Sequence, residues 1–163
     1  MSGKLSHFDT EGRPRMVDVS QKAESARTAT ASAIVCMSAA AFNAVVRRQT
    51  NKGDPLAAAE LAGIMGAKRT ADLIPLCHPL ALSSVTVVGE PDAASGSVRL
   101  TATVKSTGPT GVEMEALTAV TTAALTLYDM LKALDKAIVI ESVQLVSKSG
   151  GASGEFRRGG DQP

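Results

Sequence analysis

An acid and a base stand three residues apart late in the chain, at Asp129 and Lys132. At about 100° per residue, this spacing puts the two side chains on neighbouring flanks of one helical turn. A carboxylate beside an ammonium group can move protons in acid–base catalysis when the surroundings tune each pKa. The same spacing also occurs as an ordinary ion pair on a solvated helix, and spacing alone favours that second interpretation.

A second candidate lies in the stretch 74–80, where Cys77 and His78 stand between Pro75 and Pro79. The prolines favour an extended backbone, in which successive side chains point in opposite directions. We therefore expect only one of Cys77 and His78 to face a site, which argues against a nucleophile–base pair. His78 could donate hydrogen bonds or move a proton near neutral pH. The alternative is a histidine fixed in a turn.

Further acids and cations stand near the ends of predicted elements. Glu113 and Glu115 begin a predicted helix, where they could bind N–H groups of a heterocycle or merely complement the helix dipole. Lys52 precedes another helix, and Lys148 precedes two glycines; both are places where phosphate can bind. Lys68 lies near a helix C-terminus, which favours cations in any case. No GxxxxGK[ST] or GxGxxG motif accompanies them.

Composition excludes several classes of protein. The 163 residues carry a net charge of +1, so no basic surface for nucleic acid or membranes is expected. No apolar stretch is long enough to span a bilayer, and the first 15 residues lack the apolar core of a signal peptide. Two cysteines and two histidines make a structural metal site improbable and suggest a reducing cytoplasm. We expect a flexible arm over 1–15, one domain over 16–148 and a flexible tail over 149–163.

Hydrophobic periodicity predicts the order β-α-α-β-β-α-β. Alternating polar and apolar residues predict strands over 27–37, 82–90, 97–107 and 137–147. Helices are predicted from the N-cap Ser38 to about 48 and over 112–134. A further helix is predicted over 56–69, with Asp54 as its N-cap and Pro55 at its first position. This order predicts an α+β ferredoxin-like two-layer sandwich, with a mainly antiparallel four-stranded sheet and helices packed on one face.

The last helix is apolar on more than one side. A core stripe repeats at spacings of three and four residues: Leu117, Val120, Ala124, Leu127, Leu131 and Leu134. Between Glu115 and Asp129 the remaining residues carry no charge, which predicts cover on both sides and hence a homo-oligomer. The alternative is an alanine-rich exposed helix. Fourteen residues of helix span about 21 Å, so these two acids can hardly share one pocket within a single chain.

Several motifs together resemble one family, molybdenum cofactor biosynthesis protein C, the cyclic pyranopterin monophosphate synthases. These motifs are MVDVS at 16–20, KRT at 68–70 with DLIPLCHPL at 72–80, TGVEMEALTA at 110–119, YDM-K at 128–132 and KSGG at 148–151. The resemblance covers residues 5–156, and LCHPL together with GVEMEALTA is highly specific. It implies a phosphorus–oxygen lyase that converts a 3′,8-cyclised dihydro-GTP to cyclic pyranopterin monophosphate and releases pyrophosphate, without a redox cofactor.

The resemblance also implies roles for individual residues. The family's catalytic Asp falls on Asp129, its partner Lys on Lys132 and a further catalytic Lys on Lys52, with His78 as a fourth catalytic candidate. The positions that contact substrate are Leu76, Cys77, His78, Glu113, Met114, Glu115, Lys148, Arg27 and Lys68. The family's assembly is a hexamer, a trimer of dimers with sites at the dimer interface.

The chain departs from the family pattern in two places. Many members carry Trp where this chain has Ala71, and a basic or polar residue is commoner at Pro109. Both changes affect the expected packing of the pocket wall and leave the catalytic positions in place. Two other functions fit the residues: another nucleotide- or pterin-processing lyase or hydrolase, and a non-catalytic ferredoxin-like module that binds a small anion. RNA binding is disfavoured because the predicted strands carry no aromatic residue.

Overall fold

The computed structural model describes residues 9, 11–152 and 154–159. Most of the expected N-terminal arm, residues 1–8 and 10, lies outside the described residues, as do residues 153 and 160–163 of the expected tail. The elements follow one another as β1 (Ser25–Cys36), α1 (Ala39–Val46), α2 (Pro55–Ala67), α3 (Thr70–Leu73), β2 (Leu82–Asp92), β3 (Ser97–Gly108), α4 (Glu113–Leu131), β4 (Val139–Ser149) and β5 (Phe156–Arg157).

The strands form one antiparallel sheet in the order β2-β3-β1-β4-β5. The alternation predicted for β3 is confirmed, because its apolar residues Val98, Leu100, Ala102 and Val104 are fully buried. The first four strands give the ferredoxin-like α+β sandwich that the sequence predicts, with helices packed on one face.

The sheet has five strands, not the predicted four. The additional strand, β5, pairs Phe156 and Arg157 with Lys148 and Ser147 of β4. The Arg158 guanidinium also donates to the Leu145 carbonyl at 2.9 Å. A two-residue strand leaves no alternation in the sequence, so periodicity could not reveal it.

Local capping sets where the first helices begin. The Ser38 hydroxyl accepts a hydrogen bond from the Ala41 N–H, and the Asp54 carboxylate accepts from Leu56 N–H and Ala57 N–H. Both N-caps are therefore confirmed, as is Pro55 at the first helical position. The predicted helix 56–69 instead ends at Ala67 and is followed by the short α3.

Helix α4 is buried on two sides, partly by its own chain. Val120, Ala124, Leu127 and Leu131 of the predicted stripe are buried, whereas Leu134 is 53% exposed because α4 ends at Leu131. Ala119, which lies off this stripe, is also fully buried, because α2 packs there. At Gly63 and Gly66 an added Cβ would lie 2.9 Å from the Ala119 carbonyl oxygen and 2.8 Å from the Thr122 Cβ. The two helices can approach this closely because both positions lack side chains.

Among the residues that the structure describes, no helix combines the length and apolarity needed to cross a bilayer.

Candidate functional site

Three charged side chains meet at the C-terminal end of α4. The Asp129 carboxylate accepts hydrogen bonds from the Lys52 and Lys132 ammonium groups, each at 2.7 Å. The Lys52 ammonium also donates to the Asp129 carbonyl oxygen at 3.0 Å. We call Lys52, Asp129 and Lys132 the ion-pair cluster. It joins the loop before α2 to the last turn of α4, and each side chain is about half exposed.

The two lysines favour the ionised form of the Asp129 carboxyl group. Hydrogen bonds from Lys132, and then from Lys52, lower the pKa of Asp129 to about 2. The same carboxylate raises the pKa of Lys132. At neutral pH Asp129 therefore rests as a carboxylate and Lys132 as an ammonium group. In this arrangement Lys132 could donate a proton, and Asp129 could accept one only after losing a lysine partner.

An acid-lined cavity of about 350 Å³ lies at the other end of α4. Glu113, Met114 and Glu115 line it together with Cys77 and His78. The expectation that only one of Cys77 and His78 faces a site is therefore wrong: the backbone there is a turn and coil without regular strand geometry. The remaining wall residues are Val17, Val19, Lys22, Leu76, Leu80, Thr110 and Gly111.

His78 is held by a backbone carbonyl. Its Nε2 lies 2.8 Å from the Val17 oxygen, and because a carbonyl only accepts, Nε2 carries the proton of this bond. This bond orients the imidazole ring in the wall of the acid-lined cavity.

Burial shifts the pKa values of Glu115 and Cys77, the buried acid and the thiol of this cavity. Glu115 is only 4% exposed, and desolvation, followed by the charge of Glu113, raises its pKa. Desolvation and then the charge of Glu115 raise the pKa of Cys77, so its thiol stays protonated at neutral pH. Cys77 is therefore a wall residue and weak hydrogen-bond donor, and it is unsuited to act as a thiolate nucleophile.

An adjoining arginine cavity of about 620 Å³ shares Lys22, Thr110, Gly111 and Glu113 with the acid-lined cavity. Arg27 lies in its wall and donates to the carbonyls of Gly108 and Pro109 at 3.3 and 3.2 Å. Arg27 therefore holds the loop that leads into α4, in addition to facing the cavity.

The end of β4 closes this region. Lys148 pairs with Glu113 at 2.9 Å, and both side chains are largely buried. Gly151 has a positive φ and lies directly against the Arg27 guanidinium, where any Cβ would collide with it. The strand end, the loop 108–111 and the start of α4 are thus tied together beside the two cavities.

Lys68 lies apart from these groups. It lines a third cavity of about 360 Å³ with Ile64, Leu82 and Val85. Only Leu80 is shared between this cavity and the acid-lined one. The structure therefore does not bring Lys68 together with Arg27 and Lys148 within one chain.

Lys22 and Thr110 line both adjoining cavities, yet sequence reasoning assigned them no role. Each lies inside or beside a motif that carries the resemblance, MVDVS and TGVEMEALTA, and this proximity is the signal that could have identified them. Among the described residues, no three His, Cys, Asp or Glu side chains come close enough together to hold a metal ion.

The substitution Glu115→Gln should stabilise the fold in neutral and alkaline solution. The pKa of Glu115 is raised on folding, so stability is lost as pH rises from its ordinary value of 4.5 through the raised pKa. We expect the melting temperature of Glu115→Gln to exceed that of wild type at about pH 8 and to match it at about pH 4. Thermal melts at both pH values measure this difference.

Glu113→Gln is the matched control, since it breaks the ion pair with Lys148 and should lower the melting temperature at about pH 8. A lower melting temperature for Glu115→Gln at that pH would contradict the assigned cost of burying Glu115.

This chain is similar to known proteins over the residues that build the two cavities and the ion-pair cluster. The MoaC family model matches residues 16–151. A cyclic pyranopterin monophosphate synthase of Methylobacterium sp. (strain 4-46) is 55% identical over 152 residues, covering 93% of this chain and 95% of that protein. The protein of that name from Nostoc sp. (strain PCC 7120 / SAG 25.82 / UTEX 2576) is 56% identical over 155 residues, covering 95% and 92%. Human molybdenum cofactor biosynthesis protein 1 is 50% identical over 157 residues, which are 96% of this chain and 25% of that protein. Because the family model and these relatives cover nearly all of the residues that build the cavities and the ion-pair cluster, the chain belongs to the MoaC family.

Proposed function

We propose that this protein is a cyclic pyranopterin monophosphate synthase. Membership of the MoaC family makes it an enzyme of molybdenum cofactor biosynthesis, and the names of its relatives support a lyase. The substrate is (8S)-3′,8-cyclo-7,8-dihydroguanosine 5′-triphosphate, and the products are cyclic pyranopterin monophosphate and pyrophosphate. The observation that carries the proposal is the ion-pair cluster, where Lys52 and Asp129, 77 positions apart, meet beside Lys132.

The ion-pair cluster suits the proton transfers of this rearrangement. Opening the imidazole-derived ring and closing the pyran-fused pterin both require protons to leave and return, without any change in oxidation state. Lys132 supplies a proton, and Asp129 accepts one once substrate has drawn a lysine from it. Lys52 then stabilises negative charge that develops beside the carboxylate.

The two cavities suit the heterocycle and the phosphates respectively. Glu113 and Glu115 can accept hydrogen bonds from ring N–H groups, while His78 and Cys77 complete that wall. Arg27 and Lys22 in the adjoining cavity can stabilise the triphosphate and the leaving pyrophosphate. Lys148, beside Glu113, adds a further cation at the same place.

A complete site would combine two subunits. Glu115 and Asp129 lie on the single helix α4, about 21 Å apart by the helical rise. A twofold contact with α4 antiparallel to its copy would bring the acid-lined cavity of one subunit to the ion-pair cluster of the other. Exposed apolar side chains on the helix layer support such a contact: Leu61, Met65 and Leu125 are 60%, 50% and 58% exposed.

The larger assembly and the compartment extend this proposal. We take three such dimers to form the hexamer implied by the resemblance, and Lys68, which is set apart within one chain, would complete a site contributed by a neighbour. The two cysteines, Cys36 and Cys77, are both free, which supports the reducing cytoplasm as the compartment.

Turnover of the 3′,8-cyclised dihydro-GTP tests the proposed function. We expect the wild-type protein to release pyrophosphate from this compound and none from GTP, because only the cyclised compound holds the carbon framework of the product. Pyrophosphate release and product mass should be followed together. No release by folded, oligomeric protein would overturn the synthase proposal and favour a module that binds a small anion.

A further inference from the structure

The catalytic candidate Lys52 lies at the tip of a tight turn. Thr50 N–H donates to the Gly53 carbonyl at 2.9 Å, and Gly53 N–H donates back to the Thr50 carbonyl at 3.1 Å. Asn51 and Lys52 are the two residues between them. The reversal requires Gly53, whose φ is +104°, a conformation that residues with a Cβ rarely adopt.

One hydroxyl group joins both sides of this turn. The Thr50 Oγ1 donates to the Gly53 carbonyl at 2.8 Å and accepts from the Lys52 N–H at 3.1 Å. The hydroxyl of Thr50 thus uses its one proton and one of its lone pairs inside the turn itself. These bonds fix the backbone of Lys52 at the point from which its side chain extends to α4.

The Thr50 hydroxyl is not part of the N-cap of α2. Asp54 caps α2 through its Oδ1, and its Oδ2 pairs with Arg48 at 3.4 Å. Removing the hydroxyl therefore leaves the cap of α2 and the Arg48–Asp54 pair in place. What it would loosen is the backbone that orients Lys52.

Orientation matters because Lys52 makes two bonds at once. Its ammonium donates to the Asp129 carboxylate at 2.7 Å and to the Asp129 carbonyl at 3.0 Å. A flexible, half-exposed lysine keeps such a pair of bonds only if its backbone is held, since each of its four side-chain torsions can otherwise change. Among the residues that the structure describes, Lys52 and Lys132 are the cations that bond Asp129, so displacing Lys52 would leave Lys132 as its partner.

We propose that Thr50 is a positioning residue, whose hydroxyl holds the Lys52 turn so that the Lys52 ammonium bridges the carboxylate and the carbonyl of Asp129. Its effect on turnover rests on the proposed synthase function. Its effect on the position of Lys52 does not, and the two are measured separately.

The first measurement compares Thr50→Val with Thr50→Ser. Valine keeps the shape and removes the hydroxyl, so we expect kcat to fall on the order of 10-fold or more with little change in KM, as misplacement of a catalytic group does. Serine keeps the hydroxyl and should restore the wild-type kcat. Thr86→Val on β2 is the matched control, since Thr86 is exposed and distant in sequence from the cluster.

The second measurement follows the chemical reactivity of Lys52 and does not depend on turnover. An amine-acylating reagent is applied to each variant at neutral pH, and the labelling rate of every lysine is followed by mass spectrometry. We expect the Lys52 rate to rise in Thr50→Val relative to the rate of the exposed Lys105, and to remain at the wild-type level in Thr50→Ser and Thr86→Val. Thermal melts exclude a general loss of folding.

The outcomes separate the two proposals. Faster Lys52 labelling in Thr50→Val supports the positioning role even if wild type proves inactive on the cyclised dihydro-GTP, a result that overturns only the synthase. Unchanged Lys52 labelling in Thr50→Val overturns the positioning role, whatever happens to kcat. Faster labelling with an unchanged kcat in an active enzyme supports the hold on Lys52 and overturns its proposed effect on turnover, because Lys52 would then need no fixed position.

Discussion

Lys132→Ala should reduce pyrophosphate release from the 3′,8-cyclised dihydro-GTP by about 10²–10⁴-fold, the range expected for losing a general acid. The wild-type ammonium bonds the Asp129 carboxylate at 2.7 Å and is the first cause of its lowered pKa. Alanine removes both the proton donor and this support for the carboxylate. Steady-state turnover, with the melting temperature measured in parallel, checks the prediction.

A neighbouring lysine provides the control. Lys136 is exposed and lies four residues beyond Lys132, so Lys136→Ala changes the net charge by the same amount outside the ion-pair cluster. Its turnover should remain at the wild-type level. Retention of activity by a folded Lys132→Ala variant would exclude Lys132 from the chemistry.

We expect Glu115→Gln, like Lys132→Ala, to be nearly inactive, because it replaces a carboxylate oxygen proposed to accept a hydrogen bond from the ring. Mixing the two kinds of subunit should restore activity. Glu115→Gln alters the acid-lined cavity, and Lys132→Ala alters the ion-pair cluster at the other end of α4. If each site takes these groups from different subunits, a mixed dimer contains one site with both substitutions and one site with neither. Statistical mixing should then restore about a quarter of the wild-type activity, because isologous pairing produces two sites per dimer.

Co-expression of the two variants supplies the statistical mixture for this assay, and a different affinity tag on each variant shows that mixed oligomers have formed. The unmixed variants, purified in the same way, give the baseline. If mixed oligomers remain as inactive as the two variants alone, each site is contained within one chain and the two-subunit proposal fails.

The helix and strand pattern was predictable wherever a local signal determined it. Alternation in β3 and the N-caps Ser38 and Asp54 act within a few residues, and the structure confirms each. The separation of Glu115 from Asp129 was also predictable, since helical rise depends only on position along one element.

Features that depend on distant parts of the chain could not be predicted in the same way. Cys77 and His78 share one cavity because the segment turns, and the ring of His78 is bound by a carbonyl 61 positions away. Lys22 lines both cavities only after the N-terminal segment has folded over them. The second cover of α4 is supplied in part by α2, whose two glycines gave no indication of their partner in the sequence.

Tolerance to mutation should differ sharply between the ion-pair cluster and the two glycines at which α2 packs against α4. The side chains of the ion-pair cluster are about half exposed, so replacing them should cost little folding stability even where it abolishes function. Gly63 and Gly66 perform no chemistry, yet even a methyl group there meets α4 at 2.9 and 2.8 Å. Substitutions at these two glycines should therefore destabilise the fold more than substitutions in the ion-pair cluster, because Gly63 and Gly66 set how close the helix after Lys52 comes to the helix that carries Asp129.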